Sequence, residues 1–264
     1  MYLIQLVSFL MIVSFNLYAT PLFKVNFDSS PLGLYQGQIV KHDWSGLKWQ
    51  KLAGRAEIVR SNDYQHKNVL KVSYPKGSVG PEEGGSQFVV PLKPVKELWL
   101  SYQLKFSNDF DFRLGGKLPG LSSGGGKFTG GNIPTKGEGW SARYMWRENG
   151  EAVIYLYYMD MPGKWGEDLS LRDSHFETDK WYTLTQYIKV NDLGKSNGNL
   201  QVWINDKQLL NKNDIQFRGQ DNALIDSFYF STFHGGNTAR WGPKNRSVAY
   251  FDNFIISSEP IQIK

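Results

Sequence analysis

The sequence predicts an all-β fold, a β-sandwich or jelly roll built as a single domain, and three observations carry that expectation. Apolar and polar residues alternate with period two in segment after segment from Phe23 onward, the pattern of half-buried strands. No stretch of helical length shows an apolar stripe at period 3.6. Clusters of Gly, Asn and Ser separate the alternating segments, with neither an internal repeat nor an interdomain linker. The 264 residues suffice for one full core. A hydrophobic content of 41% with 21% charged residues excludes a disordered chain.

The first element is a targeting segment. Residues 1–19 carry no charge and 15 apolar residues, interrupted only by Gln5, Ser8, Ser14 and Asn16, and Thr20-Pro21 follows. An apolar N-terminal run ending on a small residue is expected to be a secretory signal cleaved near Ala19. Residues 20–264 are then the mature domain, secreted or periplasmic. The run lacks a basic leading stretch, so an uncleaved anchor is the competing reading. No other segment approaches membrane-spanning length. Strands are expected at residues 23–27, 69–74, 98–106, 140–147, 152–159, 181–191, 200–205, 223–232 and 248–257. In the third of these, Leu98, Leu100, Tyr102, Leu104 and Phe106 keep strict period two. Residues 148–151 and 195–199 are expected to be hairpin turns, because each holds an Asn-Gly pair able to supply positive φ. Residues 115–139 hold 10 of the 27 glycines, and a stretch so glycine-rich is expected to be a functional loop.

Composition removes several chemistries. The chain has no cysteine, which excludes a disulfide scaffold, Cys-ligated zinc, an iron–sulfur cluster and a thiol nucleophile. His42, His66, His175 and His234 are scattered, without metal-ligand spacing. Neither Lys117 nor Lys127 sits in a phosphate-binding G-x-x-x-x-G-K-[ST] string. The glycosidase pattern E-x-D-x-x-E does not occur, and Asp160, Glu167 and Asp168 are read as solvated surface groups. Thirty Lys+Arg against 25 Asp+Glu leave a net charge of +5. An exported basic protein suits an acidic polysaccharide or envelope better than intracellular nucleic acid.

One constellation survives. Ser141, Arg143, Met145 and Arg147 fall on one face of the strand at 140–147, because side chains alternate. Across the Asn149-Gly150 turn, Tyr155 and Tyr157 share a face of the next strand. A hairpin sets a serine, an arginine and two tyrosines on one sheet surface, beside the loop carrying Lys117. A solvated face of stacked aromatic and cationic pairs is the plain alternative.

Several segments resemble polysaccharide lyase family 14. They are Phe110-Asp111-Phe112, Gly115-Gly116-Lys117-Leu118-Pro119-Gly120-Leu121, Trp140-Ser141-Ala142-Arg143-Tyr144-Met145-Trp146-Arg147, Tyr155-Leu156-Tyr157, and Phe230-Ser231-Thr232-Phe233-His234-Gly235-Gly236. The resemblance runs from about Leu98 to the C-terminus. It implies a jelly roll of the concanavalin A type, with Tyr250-Phe251-Asp252-Asn253-Phe254 similar to its closing strand. The family includes alginate and glucuronan lyases. The resemblance further implies that Lys117 is an essential lysine and that Ser141, Arg143, Tyr155 and Tyr157 complete the site. Lys117, Arg143, Tyr155 and Tyr157 are assigned to catalysis, and Ser141, Arg147 and His234 to substrate binding. The Ser-Ser-Gly-Gly-Gly run after Leu121 departs from the family pattern and alters the expected cleft rim.

The residues suit that chemistry. A β-eliminating lyase removes the C5 proton of a uronate and expels the 4-O-linked sugar. Charge then accumulates on a carboxylate that is already anionic, so a cation or strong donor must offset it. Lys117 or Arg143 serves that need. A free phenol, with a pKa of about 10, becomes a base only where neighbouring cations favour its anion. Tyr155 or Tyr157 beside Arg143 and Lys117 meets that condition, and Lys117 as base is the other assignment. No metal or organic cofactor is required, and the expected partner is an acidic polysaccharide. A lectin-like module binding acidic polysaccharide on the same fold, and a protein binding polyanions through charge alone, are the rival readings.

Overall fold

The computed structural model describes residues 21–263, so the expected signal segment lies outside the described residues. In chain order the strands are β1 Phe23–Val25, β2 Gly33–Leu34, β3 Trp49–Lys51, β4 Ala56–Arg60, β5 Asn68–Tyr74, β6 Ser86–Val95, β7 Glu97–Phe106 and β8 Gly115–Ser123. They continue as β9 Trp140–Arg147, β10 Glu151–Tyr157, β11 Glu167–His175, β12 Trp181–Lys189, β13 Gly198–Ile204, β14 Lys207–Ile215, β15 Ile225–His234 and β16 Ser247–Ser257. Two short helices, α1 Gln38–Asp43 and α2 Gly80–Glu83, sit between strands. One sheet runs β14-β13-β12-β7-β16-β5-β4-β2, with β1 also paired to β16; the other runs β11-β10-β9-β8-β15-β6-β3. The two sheets form the expected all-β sandwich.

Alternation explains which side chains enter the core. Leu98, Leu100, Tyr102, Leu104 and Phe106 of β7 are all fully buried. From the facing sheet come Trp140, Ala142, Tyr144 and Trp146 of β9 and Ala152, Ile154 and Leu156 of β10. Ring packing spans the layers: Phe88 stacks on Phe230 at 4.5 Å, and Tyr102 on Phe254 at 5.3 Å.

All nine expected strands form, with bounds shifted by a few residues. The expected turn at 148–151 is a one-turn 3-10 helix, Glu148–Gly150, with Asn149 at φ 57° and Gly150 at φ 78°. Two expectations are corrected. Between β12 and β13 the positive φ falls at Gly194, and Gly198 opens β13. The glycine-rich stretch is not one loop from residue 115: its first nine residues are β8, a strand paired to both β9 and β15, and the loop spans 124–139.

Candidate active site

A bulge in β8 sets Lys117 on the outer face of the seven-stranded sheet. Lys117 pairs with Met145 and Gly120 with Arg143, so three steps along β8 oppose two along β9. Leu118 and Leu121 consequently both enter the core, although they stand three positions apart. Were the same residues paired in regular alternation, with no bulge, Lys117 would share the face of Leu121 and point inward. Pro119 lies in this bulge, where a strand tolerates a residue with no N–H. The glycines answer close approach. A Cβ on Gly116 would lie 2.0 Å from the Trp146 ring, and one on Gly120 would lie 2.1 Å from the Ala142 carbonyl oxygen.

The hairpin of β9 and β10 delivers the phenols and cations as expected. Tyr155 pairs with Arg143 and Tyr157 with Ser141. The Lys117 ammonium touches the Met145 sulfur and stands 3.3 Å from the centroid of the Tyr155 ring. Burial, reinforced by Arg143 and Arg147, holds the Lys117 amine well below its usual pKa, against an opposing pull from Asp168. Tyr155 moves the other way. Burial and its contact with Tyr157 push its hydroxyl up, and the nearby arginines do not compensate. The expectation that surrounding cations would favour a Tyr155 phenolate therefore fails on desolvation. A lysine that gives up its proton easily beside a phenol that keeps its own is an arrangement for a base and an acid.

Three of the expected residues are covered by the glycine-rich loop. Ser141 donates to the Phe128 carbonyl at 2.7 Å. Arg143, fully buried, reaches past the bare Cα of Gly120 to Ser231 on β15 at 3.3 Å and also donates to Thr129. Tyr157, fully buried, accepts from the Gly131 N–H at 2.9 Å. Tyr155 and Tyr157 meet edge to face at 5.5 Å. Within this loop Gly124, Gly125, Gly126, Gly130 and Gly131 all have positive φ, a conformation that glycine alone adopts freely.

Arg147 falls on the expected face, whereas His234 does not. Arg147 lines the cleft but is held by a two-pronged ion pair to Asp168 at 2.7 and 2.8 Å, which offsets most of its charge. His234 faces the core rather than the cleft. It is fully buried and stacked on Phe110, and its Nε2 lies 2.7 Å from the Asp111 carbonyl oxygen. Burial lowers its pKa to about 4, so it is neutral. The parity of β15 decides this: Tyr229 and Ser231 face the site, while Phe228, Phe230, Thr232 and His234 turn inward.

Lys117, Tyr155 and Arg147 line an open cleft of about 640 Å³. Its floor also includes Gln87 of β6 and Tyr229 of β15, and Trp165 and Trp241 stand on its walls. Sequence reasoning missed Gln87 and Tyr229, which are neither close in sequence nor charged at neutral pH; only the strand order β9-β8-β15-β6 brings them beside Arg143. Among the described residues, no three His, Asp or Glu side chains gather as a metal site would require.

The sequence profile of polysaccharide lyase 14 matches residues 62–254. No curated protein matches the chain in sequence. Among solved structures, the alginate lyase Aly36B superposes with a TM-score of 0.79 at 26% identity, covering 91% of this chain and 98% of that one. A variant of Aly36B with a lysine and a methionine replaced by alanine, in complex with alginate trisaccharide, gives 0.78 at 26% identity, over 90% and 98%. The alginate lyase of Aplysia kurodai gives 0.75 at 24% identity, over 90% and 99%.

Proposed function

The chain belongs to polysaccharide lyase family 14 and is a polysaccharide lyase; from that premise we propose that it cleaves β-1,4-linked polyuronates, of the alginate or glucuronan type, by β-elimination. The observation that carries this reading is the half-buried Lys117 amine, held in the cleft 3.3 Å from the centroid of the Tyr155 ring, where desolvation favours its neutral form. Further support comes from Aly36B, whose trisaccharide complex was obtained with a lysine and a methionine replaced. Those two positions are 28 residues apart, the separation of Lys117 and Met145.

In the proposed reaction the neutral Lys117 amine takes the C5 proton. The released electron pair forms the C4–C5 double bond as the C4–O bond breaks, and Tyr155 gives its proton to the departing oxygen. Tyr155 is then restored by the proton Lys117 acquired, passed directly or through water. Arg143, fixed behind the cleft floor, offsets the charge growing on the C6 carboxylate. The uncharged apolar run at residues 1–19 supports export before the chain meets its substrate.

The test is ultraviolet absorbance of the conjugated product on a panel of polyuronates, for the native protein and for Lys117→Ala. The native protein should release unsaturated ends from at least one polyuronate. Lys117→Ala should lose at least about 10²–10³-fold in rate, with its unfolding temperature little changed. Binding of polyuronates by the native protein without release of unsaturated ends would support the lectin reading instead.

A further inference from the structure

The cation expected to meet the substrate carboxylate does not reach the cleft. Arg143 is fully buried, tied to Ser231 and Thr129, with its guanidinium 5.2 Å from the centroid of the Tyr229 ring. Arg147 is held by Asp168. Gln87 and Tyr229 line the cleft together with Lys117, whereas Arg143 does not.

Those two side chains form a closed polar unit with Ser231. The Gln87 amide lies 2.8 Å from the Tyr229 hydroxyl and 2.8 Å from the Ser231 hydroxyl. Counting protons decides what the unit offers. The amide carries two hydrogens, and each hydroxyl carries one. Two of these four are used in the two contacts. If the amide nitrogen faces the hydroxyls, the Tyr229 O–H is left over; if the amide is turned so that its oxygen accepts, both amide N–H groups are left over. Either way a neutral donor remains at the cleft floor, with the Arg143 charge behind it. Gln87 and Tyr229 come from different strands, and their contact spans 142 residues. Each fixes the other's orientation before any ligand arrives, which is the condition for a preorganised contact.

Resting on the lyase reading above, we propose that Gln87 and Tyr229 form the clamp that binds the C6 carboxylate of the uronate to be cleaved, with the Arg143 charge close behind them. The clamp accounts for selection of a uronate over its ester. An anion accepts strong hydrogen bonds from such donors, whereas an esterified carboxyl accepts weaker ones and brings no charge to Arg143.

The test measures binding, by calorimetry, of a uronate oligosaccharide and of its methyl ester, in a Lys117→Ala background that prevents turnover. Tyr229→Phe keeps the ring over Arg143, and Gln87→Leu keeps the volume. Each should weaken binding of the free acid about 10- to 100-fold, the worth of a hydrogen bond to a charged group, and leave ester binding nearly unchanged. Equal losses for both ligands, no loss for either, or failure of the background protein to bind the free acid would overturn the clamp. Absence of unsaturated product from the native protein is a separate result. It sinks the lyase reading, and a selective loss of free-acid binding would still uphold the clamp.

Discussion

At Lys117 two opposing influences meet, and their balance sets the pH at which the amine becomes a base. Burial and the two arginines favour the neutral amine, while Asp168 favours the ammonium. An elimination rate that needs the neutral form rises with pH through the pKa of Lys117. Asp168→Asn removes the one charge that raises this pKa, so the acid limb of the pH–rate profile should move to lower pH. Arg147→Gln removes a charge that lowers it and frees Asp168 from its partner, so that limb should move to higher pH. Asp168 is 38% exposed and Arg147 22%, and solvent screening keeps each shift modest. The profiles are read from initial rates of unsaturated product. Movement of both variants in the same direction, or of neither, would assign the limb to another group. The raised hydroxyl of Tyr155 places its loss of a proton above this range, as the proposed role of acid requires.

At the scale of the element, β8 is the strand on which the site depends, and its glycines are packing residues as much as turn residues. Gly120→Ala would put a Cβ 2.1 Å from the Ala142 carbonyl oxygen and 2.8 Å from the Arg143 Cα, both in the backbone of the neighbouring strand. The strands must part, at a cost of about 3 kcal/mol, and Arg143 moves with them. Gly194→Ala, at a positive φ with nothing within 4 Å, should cost only about 1 kcal/mol. Denaturant unfolding of the two variants gives the comparison; equal costs would mean that β8 yields easily. The same glycines explain why β8 was illegible in the sequence. Gly116, Pro119 and Gly120 carry the composition of a loop, because what fills their places is the Trp146 ring, the bulge and the β9 backbone. By contrast β7, β9 and β10 announce themselves, since every second residue is an apolar or aromatic group bound for the core. β6 was hidden by Pro91 and Pro94, and β14 by its polar run Asn211-Lys212-Asn213-Asp214. The face shared by Ser141, Arg143, Tyr155 and Tyr157 follows from period two and one hairpin, and was legible. The side on which His234 falls depends on parity along β15, and Gln87 depends on strand order, which no local pattern encodes.

Across the whole molecule, the excess of positive charge matters only where it remains unpaired at the cleft. Lys51 is matched by Glu82, and Arg147 by Asp168. Among the described residues Arg143 has no carboxylate partner and is held by Ser231 and Thr129, so an unpaired positive charge lies buried behind the cleft floor. Depth changes how salt acts. Charges exposed to solvent are screened within about 8 Å at physiological ionic strength, whereas buried ones are screened much less. Salt should therefore weaken the long-range attraction of a polyuronate chain, raising KM severalfold between low salt and about 0.5 M. It should leave kcat nearly constant, because in the proposed reaction Lys117 works as a neutral amine and Arg143 from a fully buried position. A neutral glucan of the same linkage offers no carboxylate to offset and no acidified C5 proton, and should not be turned over at any salt concentration. A protein that merely binds polyanions by surface charge gives the opposite record: its affinity falls steeply with salt and is indifferent to the uronate. Initial rates on polyuronate and neutral glucan across a salt series separate the two, and a kcat that collapses with KM would place the working charges at the surface.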